Sequence, residues 1–168
     1  MIIIGIDPGY AIVGYGAVRY EGNHHVLLGH GCIRTEAGTP FEERLLTIED
    51  DLQRIYDLYH PDCVAVEELY FNTNTKTALA VAQGRGVILL TTARRGIPVT
   101  GYTPLQVKTA VTGYGRADKS QVQQMVKTLL NLKEIPKPDD AADALAIAIC
   151  HAHSYIMNGV QRSIRNGL

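Results

Sequence analysis

The sequence predicts an α/β fold: one central mixed sheet of five strands, with helices on both faces. Three observations carry that expectation. The chain opens with three β-rich runs joined by short turns, and later strands alternate with segments of helical periodicity. The last helix is apolar nearly all round, the pattern of a buried helix rather than a surface one.

Residues 1–7 form the first expected strand, because IIIGI is β-branched and continuous. PGYAIVG reads as a turn, residues 14–20 alternate like a second strand, and a third follows EGNHH over 26–34. The short connections imply an antiparallel meander. Pro40 then opens a helix with Phe41, Leu45, Ile48, Leu52, Ile55 and Leu58 at helical spacing. Pro61 and Asp62 restart the chain into the strand CVAVEEL. Residues 73–95 form a long helix in which Ala78, Ala82 and Gly86 recur as a stripe of small residues. That stripe permits close approach of another backbone, and packing within the molecule is the favoured use of it. A strand is expected over 97–102. Two helices then flank TGYGRADKS, where Asp118 or Ser120 caps the second. The final helix begins after Pro138, with Asp139 as N-cap, and runs to about Tyr155. The strands join as a three-strand meander plus parallel strands.

A length of 168 residues fits one domain over 1–168. Hydrophobic content of 46% indicates an ordinary soluble core. No apolar run approaches the roughly 20 residues that span a bilayer. The N-terminus lacks a charged leader region and enters a strand at once, unlike a signal peptide. Cys32, Cys63 and Cys150 are odd in number and widely spaced, which argues against a disulfide framework and points to the cytoplasm. They lie in apolar runs and read as small buried hydrophobes.

The net charge of -1 conceals a segregation. Residues 36–68 hold ten acids and two bases, whereas residues 73–138 hold ten bases and two acids. Such asymmetry suits a polyanionic partner, because phosphate contacts supply most non-specific affinity for nucleic acid. Lys76, Arg85, Lys108, Arg116 and Lys119 belong to the basic stretch.

Four acids sit where carboxylates are costly. Asp7 ends the apolar run MIIIGI, and Glu67 ends CVAV. Asp140 and Asp143 share one face of the Ala-rich final helix. Ionised carboxylates are rarely buried unless paired or bound to metal. Favourable interaction with a helix N-terminus accounts well for Asp139, less for Asp140 and poorly for Asp143. Two like charges in an apolar setting raise each other's pKa unless a cation neutralises them. The set therefore points to a hard-cation site and Mg²⁺-assisted phosphoryl transfer. Glu67 and Glu68 point to opposite faces of their strand, and parity alone does not say which of them enters the site.

GIDPG, GYG, GCIRT, VAVEELYF, QGRGV, QVK, KSQVQQMV and DDAADALAIAICHAH together resemble the RuvC-type Holliday junction resolvases, which are crossover junction endodeoxyribonucleases. The resemblance spans almost the whole chain in order. It implies an RNase H-like fold, a homodimer, and Mg²⁺-dependent cleavage of four-way DNA junctions. It places the catalytic, metal-holding acids at Asp7, Glu67, Asp140 and Asp143, and so prefers Glu67 to Glu68. Lys108 and Lys119 match lysines that contact DNA or support the transition state. Tyr70, followed by Phe71, matches an aromatic that stacks on unpaired bases near the crossover. Lys76, Arg85 and Arg116 complete the expected DNA contacts. The family dimerises through a helix at the position of the Ala78/Ala82/Gly86 stripe, and it works with branch-migration proteins of the RuvA and RuvB type.

Two Mg²⁺ ions held by the four acids, with Mn²⁺ as a substitute, imply hydrolysis to 5′-phosphate and 3′-hydroxyl ends by two-metal logic. A dimer presents two equivalent sites to two symmetry-related strands, so paired symmetric incision resolves a junction. The alternatives are an RNase H-like nuclease acting on RNA, or a junction-binding protein without cleavage. IGIDPGYAIVGYG also resembles the phosphate-binding turn of sugar-kinase and actin-like ATPases, but those need two such domains. His151 and His153 diverge on a helix and are expected to pack rather than bind zinc, with His151 a weak candidate near the metal site. Asp139 lies outside the site.

Overall fold

The apolar run at the start of the chain becomes the middle of the sheet. In the computed structural model the backbone is described for residues 1–69 and 75–166, with side chains for 1–69 and 77–155. Strands β1 (Ile2–Asp7), β2 (Ile12–Glu21), β3 (His24–Arg34), β4 (Cys63–Glu67) and β5 (Val99–Tyr102) form one sheet of order β3-β2-β1-β4-β5. β1 pairs antiparallel with β2 and parallel with β4, so it is hydrogen-bonded on both edges. β2–β3 is antiparallel and β4–β5 parallel. The mixed five-stranded sheet is the one expected.

Among the described residues five helices cover it: α1 (Phe41–Tyr59), α2 (Thr75–Arg94), α3 (Pro104–Thr112), α4 (Lys119–Leu129) and α5 (Asp139–Asn166). The two faces carry separate cores. Ile4, Ile6, Val64 and Val66 pack with Ile48, Leu52, Ile55 and Ile88 of α1 and α2. Ile3, Cys63 and Ala65 pack with Val107, Val111, Val122, Val126 and the apolar body of α5. The period-two alternation of a strand separates these sets, because neighbouring residues point to opposite faces.

Missing side chains on the sheet explain how α5 comes so close. A Cβ on Gly5 would collide with the Ala144 carbonyl oxygen, and one on Gly14 with that of Asp140. Gly5 pairs with Gly16 and Asp7 with Gly14, so these positions form a backbone floor beneath the Ala-rich helix. On α2 the close approach is made by Gly84, whose Cβ would collide with the Gly9 carbonyl oxygen. Gly86, counted in the small-residue stripe, is exposed with open space around it.

Several boundaries move for physical reasons. The EGNHH turn shrinks to Gly22 and Asn23, whose φ values of 55° and 64° suit a tight two-residue hairpin, so His24 and His25 join β3. β2 begins earlier, at Ile12, and β4 ends at Glu67. Asp118, rather than Ser120, caps α4 in a reciprocal capping box with Gln121. Asp139 is the first helical residue of α5 rather than its cap, and the helix continues beyond 155 to Asn166. No described helix is long and apolar enough to cross a membrane.

Part of the charge asymmetry is consumed inside the fold. Arg94 at the end of α2 and Arg95 just after it pair with Glu49 and Asp57 of α1 at 3.1 Å and 2.6 Å. These two bases join the acid-rich and base-rich segments to each other.

Candidate active site

Asp7 and Glu67 end adjacent parallel strands, so the C-terminal edge of the sheet presents them side by side. They share the face that carries α5, as Gly5 and Ala65 do. Glu68 goes the other way: it is exposed, and its Oε1 lies 2.9 Å from where a Cβ on Gly101 would stand. The close seat of α5 on the glycine floor brings Asp143 to the same edge. Asp7, Glu67 and Asp143 thus line one cleft of about 190 Å³ with Lys108, Lys119, Pro104, Val107, Val122 and Ala146. Asp140 stands outside the cleft lining, at the start of α5 against Gly14, and its charge is felt by Asp7.

Two lysines arrive from two capped helices. Lys108 sits in α3, whose N-terminus is closed by a Thr103–Gln106 capping box. Lys119 opens α4, directly after the Asp118 cap. Its Nζ lies 2.9 Å from Asp143 Oδ2 and 3.5 Å from Asp139 Oδ2. Arg116 is exposed on the turn between the two helices. Tyr70 and Phe71 lie outside the described residues, as does the side chain of Lys76.

Burial and like charge dominate the electrostatics of the cleft. Asp7 is pushed up to about 8, chiefly by burial and then by the charges of Glu67, Asp143 and Asp140, with Lys119 opposing. Glu67 is raised by burial and by Asp143, and Lys108 pulls it back. Asp143 is raised by burial despite its bond to Lys119. Among the described residues no three His, Cys, Asp or Glu side chains are gathered tightly enough to hold an ion as they stand. Crowded like charges oppose such gathering, and Asp143 is drawn toward Lys119 instead. The donor chemistry still fits a hard divalent cation. Every candidate ligand atom is a carboxylate oxygen, and an ammonium already stands against Asp143.

His151 takes no part in this cleft. Its Nδ1 lies 2.9 Å from the Tyr102 hydroxyl in a buried pair, while His153 reaches the Ala110 carbonyl. The two imidazoles diverge as expected. Sequence reasoning missed the Lys119–Asp143 pair and the bond from Arg85 Nε to the Glu67 carbonyl oxygen at 3.2 Å. Neither has a sequence signal, since both join residues far apart in the chain.

The family described as crossover junction endodeoxyribonuclease RuvC matches residues 3–151. The chain belongs to the RuvC family. A crossover junction endodeoxyribonuclease RuvC of Alkaliphilus oremlandii is 61% identical over 154 residues, covering 92% of this chain and 94% of that protein. The structure of Thermus thermophilus RuvC in complex with a Holliday junction substrate aligns with TM-score 0.90 at 38% identity, over 94% of this chain and 96% of that one. The yeast mitochondrial Holliday junction resolvase Ydc2 aligns with TM-score 0.69 at 12% identity, over 99% of this chain and 86% of that one, which is a likeness of fold alone. The RNase H-like α/β architecture expected from the RuvC resemblance is therefore the architecture of this chain.

Proposed function

We propose that this chain, as a single nuclease domain, resolves four-way DNA junctions by Mg²⁺-dependent hydrolysis of phosphodiester bonds. The observation that carries the reading is the convergence of Asp7, Glu67 and Asp143 with Lys108 and Lys119 on one cleft. Asp7, Glu67, Asp140 and Asp143 would hold the metal, Mg²⁺ with Mn²⁺ as substitute. When bound, the metal supplies Lewis-acid polarisation of the scissile phosphate and a water of lowered pKa.

The residues of the chain account for the rest. Strand ends and a buried helix hold the carboxylates on rigid elements, so little reorganisation accompanies the reaction. Lys108 and Lys119 offset charge that builds on the phosphate oxygens. A water oxygen forms the new bond to phosphorus as the bond to the 3′-oxygen breaks, and a proton ends on that 3′-oxygen. The products are a 5′-phosphate and a 3′-hydroxyl. Lys76, Arg85 and Arg116 are candidate phosphate contacts, and Tyr70 or Phe71 a candidate stacking group.

A homodimer gives two such sites, and α2 offers its surface. Leu79 and Leu90 are 67% and 52% exposed, with Gly86 open on the same helix face. RuvA and RuvB type proteins are the proposed branch-migration partners, and the cytoplasm is the proposed compartment. The test is a synthetic four-way junction incubated with and without Mg²⁺. Paired symmetric incision that needs Mg²⁺ is expected. Binding without incision, or incision of RNA hybrids alone, would overturn the reading.

A further inference from the structure

The strand edge that carries Asp7 and Glu67 is braced from the face opposite the cleft. Two consecutive residues of α2 do this. Gly84 lies against the Gly9 carbonyl so closely that a Cβ would collide with it, two residues beyond Asp7. Arg85 is half-buried, and its Nε donates to the carbonyl oxygen of Glu67 at 3.2 Å. The side chain of Glu67 points into the cleft while its carbonyl is held from behind. The contact is thus made to the main chain of Glu67, through its carbonyl oxygen. A hydrogen bond to the last residue of a strand limits the rotation of that peptide and so the direction of its side chain.

We infer that Arg85 is a positioning residue for the cleavage reaction: together with Gly84 it clamps the segments that bear Asp7 and Glu67. The inference rests on Asp7 and Glu67 as metal ligands. It departs from the expectation that Arg85 serves mainly as a phosphate contact. Because α2 also presents Leu79 and Leu90 outward, the same helix joins an exposed apolar face to the back of the cleft.

The two roles separate in measurements on Arg85→Ala and Arg85→Lys. Positioning predicts Mn²⁺ binding to the DNA-free protein weakened roughly fivefold to tenfold in both variants, and kcat lowered about tenfold. Junction binding in EDTA would stay within about twofold of wild type, with an unchanged slope of log K against log salt. A phosphate contact predicts the reverse. Junction binding then weakens, the salt slope falls by about one, Lys restores both, and Mn²⁺ affinity is untouched; that result overturns the inference. Thermal unfolding of each variant verifies folding, and the Lys variant carries the test should Ala not fold. Glu67→Gln is the control: if it leaves Mn²⁺ affinity unchanged, the ligand assignment falls first, and the clamp with it.

Discussion

Lys119 Nζ stands 2.9 Å from Asp143 Oδ2, an ammonium facing the acid that has the least excuse for burial on a helix. The pair makes Lys119 a competitor for any divalent cation that Asp143 helps to hold. It also sets a positive charge in the cleft lined by Asp7 and Glu67, where the proposed reaction would use it. Lys119→Met is therefore expected to move two properties in opposite directions. Mn²⁺ should bind the DNA-free protein more tightly, by roughly threefold to tenfold, while cleavage slows on the order of 10²-fold. Calorimetric titration and single-turnover cleavage of a labelled junction measure the two.

Asp7→Asn and Asp143→Asn each keep the shape of the side chain and remove the charge. Either should lower cleavage on the order of 10³-fold and leave junction binding largely intact. A gel-shift assay beside strand mapping separates the two effects. Loss of binding in step with cleavage would instead mean that the acids hold the fold together.

Asp7 also predicts a pH dependence of stability in the absence of metal. Its pKa is near 8 in the folded chain, against 3.8 as the ordinary value, so between these pH values the folded state binds more protons. Stability from this group is thus lost as pH rises from about 4 to 8. Asp7→Asn should raise the melting temperature at pH 8, with the gain vanishing toward pH 4. Saturating Mg²⁺ should stabilise wild type by about 2.7 kcal/mol at one hundred times its Kd, and the variant by less.

His25 acts with the opposite sign. Its ring lies against Tyr20 and His153 at 5.1 Å and 5.0 Å, and its buried Nε2 has no hydrogen-bond partner among the described residues. Burial, then His153 and His24, lower it to about 4 from 6.5. Between those values the unfolded state binds more protons, so stability is lost as pH falls from 6.5 to 4. His25→Phe keeps a ring in the stack and removes the titration. Chemical denaturation across that range should show a flatter acid limb.

Gly5→Ala tests the floor beneath α5. The new methyl meets the Ala144 carbonyl, which is backbone and cannot rotate aside. A loss of about 1–3 kcal/mol is expected, with reduced cleavage because Asp143 moves with the helix. Denaturant unfolding and the cleavage assay together verify it.

Glycine was thus informative in a way that the apolar pattern was not. The run IIIGI announces a central strand, but nothing local says that Gly5, Gly14 and Gly16 leave room for DDAADALAIAI. One strand boundary and one helix cap were decided by local turn and cap chemistry. Gly22 and Asn23 both adopt positive φ and close the hairpin in two residues, which carried His24 and His25 into β3. Asp118 won the cap because Gln121 answers it reciprocally, a pairing that Ser120 does not have.

By itself the sequence determined the order of elements, the central strand, the four unusual acids and the RuvC resemblance. These rest on local periodicity and on motifs that are read along the chain. The RuvC resemblance already preferred Glu67 to Glu68; only the tertiary structure decided that Glu67 shares one cleft with Asp7 and Asp143 while Asp140 stands outside its lining. It also decided that Lys119 answers Asp143 and Arg85 holds Glu67 from behind. Those relationships depend on how close one backbone can come to another across the sheet, and separation along the chain does not encode that distance.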